Sequence, residues 1–451
     1  MISQLRDAID SLNQDMIADL AALVKYPSLA FPDYDPQPNL ECAGEVKRLV
    51  EELGFDEVEL LNIGSDFPVV WAEHHVSDDA PTVLLYSHYD VQPAPVKEQD
   101  WETSPWELTK KDDGRYYGRG AADDKSGIIQ HCAAIKALGG VKNIERVNVK
   151  VCIEGEEEAF GSLEGYVEKE PARFKADVYF IADTGNLEVG KPVLTTSLRG
   201  DARLDVEVKT LPAALHSGIF GGPTPDALVE LTRLIQTMYD EQGNTIIEGI
   251  ESGCWKGADF PEDLFRAQAG LSADIALRGS ESISSQLWAH PSATVLAMDV
   301  PSFAESSNII IPRAAARISV RFPANNDAHQ VLAVLKKHLE THVHPGAEIS
   351  FSNESASQGF QTDTNSDYAQ LALKVLTDAF DYEATSIGCG ASIPLLSILQ
   401  KFSPEATFLL FGPEDDEFAK VHSGNESVSL DEIKKCALAE ALFLENLKKN
   451  V

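Results

Sequence analysis

Short apolar runs, each closed by polar residues at one end, are the most regular feature of this chain. Residues 81–93 read PTVLLYSHYDVQP, with Val83, Leu84, Leu85 and Tyr86 followed by His88 and then Asp90. Residues 147–153 read VNVKVCI and run into Glu154, Gly155, Glu156, Glu157 and Glu158. Residues 178–182 read VYFIA and run into Asp183, while 407–411 read TFLLF and lead into a loop carrying His422. Runs of this length without alternation predict strands buried on both faces, central in a parallel sheet. In open α/β sheets, ligands bind beyond the carboxyl ends of the strands. Here those ends carry His, Glu or Asp four times over.

Around these runs the period changes. Helical spacing predicts helices over 1–26, 40–53, 126–138, 328–340 and 367–380. Thr224 with Pro225 predicts the start of another, reaching to about Met238. Ser429 and Glu432 fit a capping box for a last helix ending near Leu447. Further strands are expected at 57–61 and 69–73. Residues 203–209 and 315–322 alternate apolar with polar, which marks strands with one wet face, and 348–352 is expected to be another strand. These alternating strands and the helices between them predict a separate two-layer α/β domain over 198–361, with 240–290 left unassigned. The expected fold class is therefore α/β. A mainly parallel-sheet domain with helices on both faces, formed by 1–197 and 362–451, is interrupted by a smaller two-layer domain.

Composition narrows the function. The 451 residues include 43% hydrophobic and 24% charged side chains, an ordinary globular balance. Lys and Arg number 37 against 72 Asp and Glu, a formal charge of −35. That excess argues against nucleic-acid or anionic-membrane partners, which require Lys and Arg to displace counterions. No apolar run is long enough to cross a membrane, and the start of the chain reads as an amphipathic helix rather than a signal peptide. The six cysteines are scattered without a CxxC, so buried thiols in a reducing compartment, by default the cytoplasm, are expected.

The chemistry follows from collecting the strand-end residues. His88, Asp123 from the Gly-flanked loop GRGAADDKSG, Glu157 or Glu158, Asp183 and His422 make two histidines and three carboxylates, a donor set suited to a pair of zinc-like cations. A helix cap accounts for one Asp of that loop but not for both Asp123 and Asp124. Two cations a few ångströms apart need a carboxylate between them, and together they acidify a water and polarise a carbonyl. Of two adjacent glutamates, one can bind metal while the other moves the proton. Asp90, two residues along extended chain from His88, can orient its ring. His131 falls on the apolar stripe of its helix and reads as a core histidine.

These residues carry a resemblance. SHYDVQP (87–93), GRGAADDKSG (118–127), EGEEEAFGS (154–162), ADTGN (182–186), HSGIFGG (216–222) and VHSGNES (421–427) resemble the motifs of the co-catalytic zinc metallopeptidases. That family includes carnosinase-like dipeptidases, aminoacylase, acetylornithine deacetylase and succinyl-diaminopimelate desuccinylase. The combination of HSGIFGG with SIP (392–394) is most similar to the dipeptidase branch. The resemblance implies that His88, Asp123 and Asp183 hold one Zn2+ and that Asp123, Glu158 and His422 hold a second, with Mn2+ or Co2+ as possible substitutes. It implies Glu157 as general base, Asp90 as orienting residue, and His216 as donor to the oxyanion, often from the dimer partner. Asn308, Arg321 and Ser392 would contact substrate. The inserted domain would act as lid and homodimer interface. The implied reaction is hydrolysis of dipeptides or short peptides, with N-acyl-amino-acid deacylation as the alternative.

Overall fold

The computed structural model describes residues 2–159, 161–390 and 393–447. The chain divides into two compact units. The larger contains Met1–Thr196, Thr362–Ile387 and Leu395–Val451, and the smaller contains Ser197–Gln361 with Gly388–Pro394.

The large sheet is built on β1 (Val58–Leu61), β2 (Val69–His74), β3 (Thr82–His88), β4 (Asn148–Glu154), β5 (Val178–Ile181), β6 (Val193–Leu198) and β7 (Thr407–Leu410). Their order is β1-β2-β4-β3-β5-β7-β6, continued by the short strand Phe360–Gln361. The middle four strands, β4-β3-β5-β7, run parallel, and the flanking pairs are antiparallel. The apolar runs end up here because both faces of these strands are covered. From Val83 to His88, β3 is buried throughout. On one face, Val83, Leu85, Val149, Val151, Val178 and Phe180 meet the helices Lys125–Ala137, Asp367–Phe380 and Leu430–Asn446 in a single core. On the other face, Trp71 packs edge-on to Phe174, 5.0 Å between ring centroids. There, too, Lys150 donates to the carbonyls of Arg173 and Lys175.

The smaller unit has a four-stranded antiparallel sheet in the order Ser292–Asp299, Arg313–Phe322, Gly200–Lys209, Glu348–Ser357. Helices Ala227–Gln236 and Ala328–His342 bury one face, through Leu204, Val206, Leu231, Ile318, Val331 and Leu335. The other face is wet and carries ion pairs, among them Arg317 with Asp205 at 2.7 Å. The alternation of these strands records that two-sided environment.

Several local expectations are corrected. The first helix is two, Ile2–Ser11 and Asn13–Val24, broken at Leu12. The helix after Pro225 is capped by Asp226, whose carboxylate accepts from the Leu228 and Val229 amides, and not by Thr224. Ser429 occupies the N-cap of the last helix without a side-chain hydrogen bond. Glu432 instead accepts from Asn186 Nδ2 (2.8 Å) and the Gly190 amide (3.0 Å), so no capping box forms. The unassigned stretch contains Glu262–Gln268 and Ile283–Trp288, helices too short to show a period, and leads into the edge strand Ser292–Asp299. Four of the six thiols are buried, but Cys254 is exposed and Cys389 half-buried.

Phe180 lies under the centre of the large sheet, fully buried, with its ring 4.4 Å from Phe411 and within 6.2 Å of His131 and Phe443. Phe180→Ala should destabilise the larger unit by about 3–5 kcal/mol, read as a lower urea midpoint at unchanged far-ultraviolet dichroism of the native state.

Candidate metal centre

Parallel pairing puts His88 level with Glu154, and the chain beyond β5 and β7 continues past the same edge. The side chains of interest gather there. His88 Nε2 lies 2.9 Å from Asp123 Oδ1 and 3.7 Å from Asp183 Oδ1. His422 Nε2 lies 2.9 Å from Asp123 Oδ2 and 3.2 Å from Glu158 Oε1. Asp123 therefore faces one histidine with each oxygen and belongs to two potential ligand groups, His88–Asp123–Asp183 and Asp123–Glu158–His422. Donors bound to one zinc at about 2.0–2.2 Å sit roughly 3.3 Å apart around it, which matches the observed spacings.

Crowding of like charge gives a further test of fit. Burial and the neighbouring Asp183 push the Glu157 and Asp124 carboxyls well above the usual range. Burial lifts Asp183 to about 6 despite its hydrogen bond to His88. Asp123 alone goes the other way, because hydrogen bonds from His422 and His88 outweigh its burial. Asp124 Oδ1 and Glu414 Oε1 are buried without any partner. Carboxylates this close, with unsatisfied oxygens and two imidazoles between them, are arranged for cations. The residues fit a divalent metal pair.

Backbone and loop contacts hold this arrangement. His88 Nδ1 is 3.1 Å from the Asp90 carbonyl oxygen and 3.4 Å from its carboxylate. The Asp90 carboxylate also accepts from the Glu157 and Glu158 amides, each at 3.0 Å, so it ties the β3 end to the glutamate loop. The Asp123–Asp124 peptide is cis. Asp124 Oδ2 accepts from Ser87 Oγ and, at 3.3 Å, from the His88 amide. Lys125 is fully buried, and its ammonium donates to the Leu23 and Tyr26 carbonyls, each at 3.0 Å. His422 has φ 61° and is half exposed. Its carbonyl accepts from Gln99 Nε2 (3.2 Å). Gly424 must be glycine, because a Cβ there would lie 1.7 Å from the Gln99 carbonyl oxygen.

Two carboxylates escaped the sequence reading. Glu426 is fully buried and accepts from the Gly120, Ala122 and Asp123 amides and from Arg119 Nη1 at 2.6 Å. Glu414 is pushed well up by burial and by Asp123 and Asp183 nearby. Both lie in the acidic stretch before and after His422, the one signal that could have found them.

The other candidates belong to the smaller unit. His216 is exposed at the end of the strand Leu215–His216, which pairs with Ile309–Ile310, and its Nδ1 accepts from the Gly218 amide (3.1 Å). Asn308 is exposed alongside, its carbonyl accepting from the Ser217 amide. Arg321 lies on the four-stranded sheet, 3.7 Å from Asp201. Ser392 lies outside the described residues.

The family model described as Peptidase family M20/M25/M40 matches residues 84–446. The chain belongs to that family. Within M20/M25/M40, it is 38% identical over 413 residues to the cysteinylglycine-S-conjugate dipeptidase of Corynebacterium striatum, covering 90% of this chain and 89% of the relative. It is 28% identical over 468 residues to the Cys-Gly metallodipeptidase dug1 of Schizosaccharomyces pombe, covering 96% of each. Among solved structures it resembles the metallo-carboxypeptidase Sso-CP2 of Sulfolobus solfataricus, with TM-score 0.79 and 26% identity, over 95% of this chain and 98% of that one. These likenesses place the chain with the dipeptidase branch of its family.

Glu426→Gln would leave Arg119 buried without its anion and loosen the Asp123 loop. It should weaken divalent-cation binding by roughly 10–100-fold, measured by calorimetric titration of the metal-free protein, with Asp90→Asn acting in the same direction.

Proposed function

We propose that the protein is a di-zinc dipeptidase that hydrolyses a peptide bond of dipeptides or short peptides. The observation that carries this is the Asp123 carboxylate, one oxygen toward His88 and the other toward His422. In this reading His88, Asp123 and Asp183 hold one cation, and Asp123, Glu158 and His422 the other, with Mn2+ or Co2+ as possible substitutes. Two divalent cations so held supply Lewis acidity, acidifying a water and polarising the peptide carbonyl.

The chain's own residues do the rest. Glu157, not among the ligands, takes the proton of the attacking water and passes it to the leaving amine. Asp90 fixes where Glu157 stands through that residue's amide. Because His216 Nδ1 accepts an amide proton, its own proton sits on Nε2, which is free to donate to the oxyanion. Asn308 and Arg321, with Ser392, contact the substrate's carbonyl and carboxylate. The smaller unit serves as lid and as the interface of a homodimer, in which His216 serves the partner's site.

No helix among the described residues is long and apolar enough to cross a membrane. The buried thiols of Cys42, Cys132, Cys152 and Cys436 support a reducing compartment such as the cytoplasm.

Metal analysis coupled to a substrate panel tests the reading. Cys-Gly and other dipeptides should be cleaved, and N-acetyl or N-succinyl amino acids should not; the reverse pattern would make the protein a deacylase. Glu157→Gln should keep two metals per chain while kcat falls by about 10²–10⁴-fold. Near-normal turnover at full metal content would remove Glu157 from the base role. His216→Ala should lower kcat by about 10²–10³-fold without loss of metal, and a drop in metal content instead would show that it is a ligand.

A further inference from the structure

The smaller unit contains a cavity of about 400 Å³ whose lining comes entirely from Arg199 and residues 239–293. This is within the size range of small-molecule sites. Much of its wall is apolar, with Phe265, Leu271, Ile283 and Leu287 among the contributors. Its charged lining residues are Arg199 and Arg278; among the described residues no Asp or Glu lines it. That selection is notable in a chain where acids outnumber bases 72 to 37.

Arg199 shows what is missing. Its Nε is buried and has no hydrogen-bond partner. The guanidinium has room because position 390 is glycine, where a Cβ would lie 2.9 Å from Nη2. The nearby carboxylate of Asp201 is committed elsewhere, to Ser319 Oγ and to Arg203. Burial, with Arg321 adding repulsion, brings Arg199 down to about 10, so it remains a cation at neutral pH. Arg278 stands over the Tyr239 ring at 4.7 Å and donates to the Gly243 carbonyl, which leaves other N–H groups of its fork available. A half-buried cation whose Nε is shut off from water and unpartnered is costly unless an anion joins it.

We propose that this cavity is a second binding site, for a small carboxylate with an apolar body, whose carboxylate pairs with Arg199 and whose hydrocarbon packs on Phe265, Leu271, Ile283 and Leu287. The site is independent of the dipeptidase reading. The shared chemistry could come from a free organic acid or from an apolar amino acid, and the titration separates the two.

The test is calorimetric titration of the full metal-loaded chain with 4-methylpentanoate, 4-methylpentanamide and leucine. The acid should bind with a Kd of about 1 mM or tighter, and the amide should bind at least tenfold more weakly. Leucine matching the acid identifies amino acids as the source; leucine binding weakly identifies organic acids. Arg199→Gln should weaken binding of the acid about tenfold or more, by removing a charge-assisted hydrogen bond. Leu287→Trp, which fills the chamber, should abolish it, with circular dichroism confirming that both variants are folded. Absence of binding, equal binding of the amide, or binding untouched by both substitutions would each overturn the proposal.

Discussion

Packing negative charge out of water is the constraint on which this molecule turns. Asp124, Glu157, Asp183 and Glu414 crowd the carboxyl edge of four parallel strands, where burial and mutual repulsion drive them toward their neutral forms. Asp123, among them, goes the other way, because an imidazole stands on each side of it. Asp123 and Asp124 are buried, so little solvent reaches their carboxylates to dissipate the charge. Cations are the natural counterweight, and Asp123 belongs to both groups of side chains able to hold one.

Holding such a site open takes more structure than the ligands themselves. Glu426 holds the Gly120–Asp123 loop through three backbone amides and is itself paired with Arg119. Asp90 joins the end of β3 to the glutamate loop. The long connection after β3 is fastened to the His422 loop through Gln99, Glu102 and Asn425. Each of these contacts joins segments distant in sequence, so the centre exists only when the whole larger unit is folded.

What could be read in the sequence follows the same logic. The apolar runs were legible because strands buried on both faces have no polar position to spare, and the alternating strands of the smaller unit because one face is wet. Turn chemistry misled at Ser429 and Glu432, since the glutamate was drawn to Asn186 and Gly190, a tertiary contact invisible to local spacing. The stretch before Ser292 gave no period because its helices span fewer than eight residues each. Glu414 and Glu426 were hidden by their own kind, two acids among many in a chain where acids are abundant.

The ammonium of Lys125 carries an implication for how this protein can be engineered. Its only described acceptors are two carbonyls at the end of the second helix, Leu23 and Tyr26. A version trimmed to begin after Tyr26 would strand a positive charge one residue from Asp124. The opening segment looks peripheral on a map of the fold, yet it insulates the catalytic floor, and attempts at miniaturisation should start from elsewhere.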